Sequence, residues 1–98
     1  MIKKINLEIF ILGMGISGIS LAKYLIKKKI SITCWDDNPE KRKVIHTLKI
    51  KINNMTPATL KNCHYLVLSP GINHQKKNPH EAVKIARKLN IKIVTIWF

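Results

Sequence analysis

The strongest constraint on this chain is a glycine-rich run that stands between an apolar segment and an amphipathic one. Residues 13–18 read GMGISG, and Ile9 to Leu12 before them form an unbroken apolar stretch that ends at glycine, as a buried parallel strand does. After the run, apolar side chains recur at helical spacing, at Ile19, Ala22, Leu25 and Ile26. The sequence therefore predicts a strand, a glycine loop and a helix in direct succession.

A loop of this GxGxxG type, placed between a strand and a helix, predicts a site for a phosphate-bearing ligand. Gly13 permits the tight turn, Gly15 lets a phosphate approach the backbone, and Gly18 allows the helix to pack close to the strand. The helix N-terminus, at Ile16 and Ser17, supplies amide donors and the positive end of the helix dipole. The motif leaves the identity of the ligand open, and a merely tight turn is the alternative interpretation.

Strands and helices alternate through the rest of the chain. The pattern predicts further strands over residues 30–35, 50–52, 64–68 and 91–94, and helices over residues 39–48, 56–58 and 79–89. Because regular alternation implies right-handed crossovers, we expect a Rossmann-like three-layer α/β fold, a single domain with a mainly parallel sheet of about five strands. The ligand should lie beyond the carboxyl ends of the strands, where the first and fourth predicted strands deliver their loops side by side.

Two further segments at predicted strand ends are candidates for this site. Asp36 and Asp37 follow Gly18 by 18 and 19 residues, where a nucleotide-binding unit places an acid against a ribose or a base. One of the two is expected to bind ligand and the other to form the turn and cap the next helix, and the residues alone do not say which. The run Ser69-Pro70-Gly71 ends the fourth predicted strand and is either part of the site or an ordinary turn.

The charge of the chain is strongly positive, with 18 Lys and Arg against 5 Asp and Glu and a formal net charge of +13. Such a charge suits an anionic ligand or a nucleic acid. However, the chain holds 17 Ile, 16 Lys and 8 Asn, all encoded by AT-rich codons, so genomic base composition explains the charge best. Base readout and phosphate clamping favour Arg, of which there are 2, and nucleic acid is not the partner we expect.

Cysteine and histidine usage predicts neither a disulfide nor a metal site. Cys34 and Cys63 stand far apart, and the four histidines show no metal-ligand spacing. Two isolated thiols fit a reducing cytosol best, so a cytoplasmic location is expected. The mostly apolar stretch from Ile9 to Ala22 is shorter than the roughly 18 residues that a membrane-spanning helix needs, and no membrane partner is expected.

Three motifs, taken together at their spacing, resemble the N-terminal domain of the Mur ligases. They are GMGISG at residues 13–18, WDDN at residues 35–38 and LVLSPGI at residues 66–72, followed by a helix that leads to IKIV at residues 91–94. The resemblance covers residues 5–94. It is closest to the branch that adds D-glutamate to UDP-N-acetylmuramoyl-L-alanine (the MurD branch), because the sister ligase that adds L-alanine usually lacks the Ser-Pro-Gly-Ile sequence.

In that family this domain holds the UDP moiety of the muramoyl substrate, which implies roles for particular residues. The resemblance implies that the amides of Ile16 and Ser17 receive the diphosphate. It further implies that Asp36 and Asp37 contact the uracil end and that Gly71 lines the same cleft. ATP and magnesium belong, in that family, to a central P-loop domain, and no P-loop sequence occurs in these 98 residues. The chain by itself is therefore expected to hold no cofactor and no catalytic residue, and to lack ligase activity.

The last residues depart from the family pattern. The family continues past the last strand with a segment like Gly-Asp-Ile-Glu-Leu-Phe, whereas here Val94 is followed by TIWF at residues 95–98. We therefore expect a UDP-substrate-binding domain over residues 1–94 and an apolar terminus over residues 95–98, such as a truncation, a split gene or a frameshift would leave. That terminus is expected to favour self-association or contact with the family's other domains.

A second function stays open on the sequence alone, namely an NAD-binding Rossmann module of a dehydrogenase or a transport regulator. The glycine loop suits a dinucleotide as well as a UDP-linked substrate. Asp36, after the second strand, disfavours a 2′-phosphate, so NAD rather than NADP is the expected ligand in that case.

Overall fold

The computed structural model describes residues 7–74 and 77–96, which form a parallel sheet between two layers of helices. The elements in chain order are β1 (Glu8–Leu12), α1 (Ile16–Lys27), β2 (Ser31–Trp35), α2 (Pro39–Thr47), α3 (Pro57–Leu60), β3 (Tyr65–Leu68), α4 (Glu81–Lys88) and β4 (Lys92–Thr95). Within these residues the sheet has four strands, in the order β2-β1-β3-β4. All three strand pairs are parallel, and the predicted Rossmann-like α/β fold is confirmed.

The pleat of β1 divides the core into two halves, one on each face of the sheet. Ile9 and Ile11 pack with the buried side chains of α1 and α2, while Phe10 and Leu12 pack with those of α3 and α4. Successive side chains on a strand point to opposite faces, so a strand covered on both sides must be apolar throughout. This is why the short apolar run before the glycine loop becomes the centre of the molecule.

Side-chain caps begin three of the four described helices. Asn38 accepts a hydrogen bond from the amide of Glu40 at the start of α2, and Thr56 forms a reciprocal capping box with Thr59 at the start of α3. His80 accepts from an amide of the first turn of α4. The expectation that one of the two neighbouring aspartates caps α2 is therefore wrong, because Asn38 does so.

The sheet has one strand fewer than expected, because the segment over residues 50–52 makes only a single bridge. Ile52 is paired with Cys34 on the outer edge of β2, and the carbonyl of Lys51 accepts from the Cys34 amide at 2.9 Å. The amide of Asn53 donates to the Cys34 carbonyl at 3.1 Å, and the chain then leaves the edge of the sheet. The segment thus covers one residue of the edge and does not extend the ladder.

The last helix and strand start later than predicted. His80 has extended backbone angles and caps α4, so the helix begins at Glu81 rather than at Pro79. The last strand runs one residue further than expected, since Thr95 pairs with Leu68 in β4. The amide of Ile96 also donates to the Leu68 carbonyl at 3.0 Å. The remaining two residues of the expected apolar terminus, Trp97 and Phe98, lie outside the described residues.

The helices are short and amphipathic, with one face buried against the sheet and the other exposed. α1, at 12 residues the longest in the described part of the chain, buries Gly18, Ala22 and Leu25 against the sheet and leaves Lys23 and Lys27 exposed. In the described residues no helix has both the length and the apolar character needed to cross a bilayer.

Both cysteines are buried free thiols, which predicts low reactivity in the folded protein. Burial, reinforced by the charge of Asp36, raises the pKa of Cys34 to about 12, and burial raises the pKa of Cys63 to about 11. Since the thiolate is the reactive form, we expect neither residue to react with a thiol reagent at pH 7.5 until urea unfolds the chain. Mass spectrometry after timed alkylation measures this, and labelling at the rate of a free cysteine in native buffer would contradict it.

Candidate functional site

The cleft that brings most of the predicted site residues together lies where the chain leaves the two central strands in opposite directions. β1 and β3 are neighbours, but the chain continues from β1 to β2 on one side and from β3 to β4 on the other. Their following loops separate at this point and leave a cleft of about 380 Å³. Its lining residues are Gly13, Gly15, Ile16, Ser17, Asp36, Lys41, Ser69, Pro70, Gly71 and Ile72. Of the predicted site residues, Gly18 and Asp37 are not part of this lining.

The three glycines of the loop differ in what surrounds them. Gly13 has a φ of +91°, which few other residues adopt, and its amide donates to the Trp35 carbonyl at 2.8 Å. A Cβ on Gly18 would lie 2.2 Å from the Gly13 carbonyl oxygen, so only glycine allows α1 to pack this close to β1. A Cβ on Gly15, by contrast, would have the Lys41 Nζ as its nearest neighbour, at 3.9 Å. Gly15 is also one of the residues that line the cleft.

The N-terminus of α1 opens into this cleft without a side-chain cap. Gly15 is the N-cap residue, with an extended backbone (φ −77°, ψ −161°), and no side chain accepts from the first amides of the helix in the described part of the chain. The first turn carries no acidic residue either. The amides of Ile16 and Ser17 are therefore available to an anion, and the helix dipole favours one.

The loop after β3 is fastened to the glycine loop. The buried Ser69 hydroxyl donates to the Gly13 carbonyl, and the Ser69 amide donates to the Leu12 carbonyl at 3.0 Å. The amide of Ile72 then returns to the Ser69 carbonyl, with Gly71 at a φ of +94°, as in a type II turn. Ser-Pro-Gly thus forms a turn, as one of the two interpretations of the sequence has it, and the same three residues line the cleft.

Asp36 joins the loops after β1 and β2. Its Oδ2 accepts from the Met14 amide at 2.7 Å, and its Oδ1 accepts from the Asn38 amide at 2.9 Å. The carboxylate therefore fixes the shape of the glycine loop from a position 22 residues away in the chain. Both oxygens already serve the backbone, which limits what Asp36 can offer a ligand.

Asp37 contacts His80, the N-cap residue of the last helix, instead of the glycine loop. Its carboxylate accepts from the Trp35 Nε1 at 2.9 Å and meets the His80 Nε2 at 2.6 Å. Partial burial raises the pKa of Asp37, but the hydrogen bonds from His80 and Trp35 and the nearby positive charge of Arg42 outweigh this effect, so the pKa lies below its usual value. Its side chain is still 65% exposed, so it remains accessible to a ligand.

The sequence interpretation missed three residues at this end of the sheet. His80 ties α4 to the loop after β2, and its Nδ1 accepts from the Ala82 amide, so the ring proton on Nε2 faces Asp37. Arg42 lies over the Trp35 ring at 4.4 Å. Lys41 lines the cleft itself. None stands in a motif, and their positions follow from how α2 and α4 are placed on the sheet.

No metal site accompanies the cleft in the parts of the chain that the structure describes. There, no three His, Cys, Asp or Glu side chains come together as a metal would require. What the arrangement offers chemically is a pair of free amide donors and a lysine around a small open volume, with the carboxylate of Asp36 in its lining. These groups suit the binding of an anionic ligand.

Comparison with known proteins gives one family and a widely shared fold. The model of the Mur ligase MurD-like N-terminal domain family matches residues 7–95. The UDP-N-acetylmuramoylalanine--D-glutamate ligase of Chelativorans sp. (strain BNC1) is 30% identical to this chain over 87 residues. That alignment covers 89% of this chain and 19% of the ligase, so the chain spans about one fifth of the length of this relative.

Solved structures with this fold come from more than one class of enzyme. A UDP-N-acetylmuramate:L-alanyl-gamma-D-glutamyl-meso-diaminopimelate ligase from Neisseria meningitides is similar with a TM-score of 0.62 and 17% identity, over 90% of this chain and 28% of that one. An imine reductase variant from Myxococcus stipitatus, in complex with NAD+, is similar with a TM-score of 0.65 and 13% identity, over 93% of this chain and 40% of that one. At these identities the likeness concerns the fold alone.

Two alanine substitutions should distinguish Gly18, which the packing of α1 requires, from Gly15, which leaves space in the cleft. We expect Gly18→Ala to destabilise the protein by about 3 kcal/mol, because its Cβ collides with the backbone of Gly13. Gly15→Ala should change stability by less than about 1 kcal/mol, since the site has room and an ordinary φ. Urea denaturation followed by circular dichroism measures both, and equal stabilities of the two variants would disprove the assignment.

Proposed function

This chain belongs to the Mur ligase MurD-like N-terminal domain family, and we propose that it binds the UDP moiety of UDP-N-acetylmuramoyl-L-alanine for a D-glutamate-adding ligase of peptidoglycan synthesis. The observation that carries the proposal is the uncapped N-terminus of α1, which opens into a cleft built from the motifs of that family. A diphosphate is the anion that such a cleft suits, because several amides and a helix dipole converge on it.

The residues of the cleft divide into a diphosphate part and a base part in this proposal. The amides of Ile16 and Ser17 receive the diphosphate, and the bare backbone at Gly15 lets it approach. Gly13 and Gly18 contribute by shaping the loop, since a Cβ at either position would meet atoms of the loop or of its neighbours at 3.0 Å or less. Binding and orientation of the substrate are thus the role that this proposal gives to the domain.

The uracil and ribose lie, in this proposal, toward the two aspartates at the end of β2. Asp36 holds the loop in shape through its two amide contacts, whereas the accessible carboxylate of Asp37 accepts from the imide N–H of uracil or from a ribose hydroxyl. The low pKa of Asp37 keeps it ionised, and therefore an acceptor, throughout the neutral range.

The rest of the substrate extends in the opposite direction, across the turn that contains Gly71. A second depression, of about 410 Å³, shares the segment Ser69 to Ile72 with the first and continues to His74, Thr95 and Ile96. A ligand with its base near β2 and its diphosphate at α1 has its sugar and peptide portion directed to this side. A Cβ on Gly71 would have no atom within 4 Å, so a bulky substrate has space to lie beside this residue.

The ligase reaction as a whole is proposed only for a longer protein. The relatives named as D-glutamate ligases are several times longer than the region that matches this chain. In the Chelativorans enzyme, the matched region is 19% of the length. ATP and magnesium would be held outside this cleft, because phosphoryl transfer needs a phosphate cradle and a metal site that the cleft does not offer. We expect no ligase activity from these 98 residues alone.

A dinucleotide such as NAD is the second candidate ligand, favoured by the fold shared with an NAD-bound imine reductase. In a dinucleotide site the acid after the second strand accepts from the ribose hydroxyls. Here both oxygens of Asp36 already accept backbone amides, which weighs against that role.

Titration with nucleotides tests the choice between these ligands. We expect UDP and UDP-N-acetylmuramoyl-L-alanine to bind more tightly than NAD or ADP, measured by calorimetry at raised salt, where screening removes the nonspecific attraction of a +13 chain. Gly15→Val should weaken UDP at least about tenfold by blocking the backbone, while Ser20→Val on the exposed side of α1 should not. Equal or tighter binding of NAD by the unmodified chain would replace the proposal with the dinucleotide function.

A further inference from the structure

Three consecutive basic residues in the first half of α2 have different surroundings. Arg42 places its guanidinium 4.4 Å from the centre of the Trp35 ring. Lys43 forms an exposed ion pair with Glu40 at 3.3 Å. Lys41 makes no side-chain hydrogen bond or ion pair with any residue that the structure describes, and it lines the cleft.

The ammonium group of Lys41 stands over the glycine loop. Its Nζ is 3.9 Å from the point that a Cβ of Gly15 would occupy, and Gly15 is the N-cap of the uncapped helix. An anion that accepts from the amides of Ile16 and Ser17 is therefore within reach of this ammonium. Lys41 is also the one cation among the described residues that line the cleft.

The carboxylate in the same lining does not account for the position of Lys41. Asp36 uses both oxygens to accept the amides of Met14 and Asn38, and it forms no ion pair with Lys41 within 4.0 Å in the described structure. Lys41 thus brings to the cleft a positive charge that forms no ion pair with a carboxylate in the described part of the chain.

Helix stability does not account for Lys41 either. It is the third residue of α2, where the positive end of the helix dipole disfavours a cation. The same turn carries features that do stabilise a helix start, namely the Asn38 cap, a proline at the first position and Glu40. A residue that departs from a local preference without a compensating contact is expected where function requires it.

We infer that Lys41 is a further binding residue of this cleft, which neutralises the diphosphate of a bound nucleoside diphosphate and makes affinity depend on the number of phosphates. The inference rests on the proposed function and adds the residue that recognises the charged part of the substrate. An ammonium binds the non-bridging phosphate oxygens through charge-assisted hydrogen bonds. Its contribution is therefore absent for a nucleoside and largest for a diphosphate.

A titration series with uridine, UMP and UDP tests this role. The 98-residue chain and the variants Lys41→Gln, Lys41→Arg and Lys43→Gln are titrated by NMR at constant ionic strength, since chemical-shift titration reaches weak affinities. Lys41→Gln should weaken UDP about tenfold, as the loss of one charge-assisted hydrogen bond implies, and leave uridine unchanged within about twofold. Lys41→Arg should retain most of the UDP affinity, and Lys43→Gln, which removes the same charge from the same helix, should leave it unchanged.

The outcomes separate the inference from the function on which it rests. If UDP binds but Lys41→Gln and Lys43→Gln weaken it equally, Lys41 is an ordinary surface lysine, and the inference is overturned while the proposed function stands. An equal loss for uridine and UDP would also overturn it, because the effect would not come from the phosphates. If the unmodified chain binds neither UDP nor UMP, the proposed function fails and the inference fails with it.

Discussion

The carbonyl oxygen of Gly13 lies where a central strand, the first helix and the loop after the neighbouring strand all meet. The backbone of Gly18 packs against it at a distance that excludes any side chain, and the Ser69 hydroxyl donates to it from the other side. The position of α1 relative to the sheet depends on this contact, and so does the width of the cleft. An unsatisfied buried carbonyl would cost about 1–3 kcal/mol, so the serine is needed as much as the glycine.

A second set of contacts holds the loop after β2 against this centre. Asp36 reaches back to the Met14 amide, and Asp37 reaches forward to His80 at the start of α4. Adjacent side chains in one turn therefore fasten the loop in two directions. The cleft is held by side chains that bond to backbone amides and to each other, so its shape exists before any ligand arrives, which lowers the entropy cost of binding.

The parts of this structure that could be predicted from the sequence are those with a local physical signal. The strand before the glycine loop is apolar throughout, and the helix after it has a clear period, so both were located within a few residues. The segment over residues 50–52 looks like a strand because Ile50 and Ile52 are β-branched, but nothing local shows that it meets only the rim of β2. Pairing of that kind is decided by tertiary packing.

The contacts within the candidate site were harder to predict because they join residues distant in the chain. Asp36 and Asp37 are indistinguishable in a turn motif, and only the fold shows that one faces the glycine loop and the other faces His80, 43 residues further on. Lys41 likewise resembles any other lysine of this lysine-rich chain until α2 is set beside the glycine loop. A motif identifies the loop that a ligand approaches, while its neighbours are identified by topology.

The parallel sheet links the cleft to the folding of the entire chain. Over residues 7–74 and 77–96, no two neighbouring strands form a hairpin: β1 pairs with β2 across the α1 connection, and the Ser69 contact with Gly13 spans 56 residues. Such distant pairings form slowly and cooperatively, since loop-closure entropy is lost before the contacts are gained. The two walls of the cleft therefore come into existence in the same step as the central strand pair. A nucleotide that fits between them stabilises by mass action the whole domain rather than one loop, so its affinity can be read from the melting temperature of the fold.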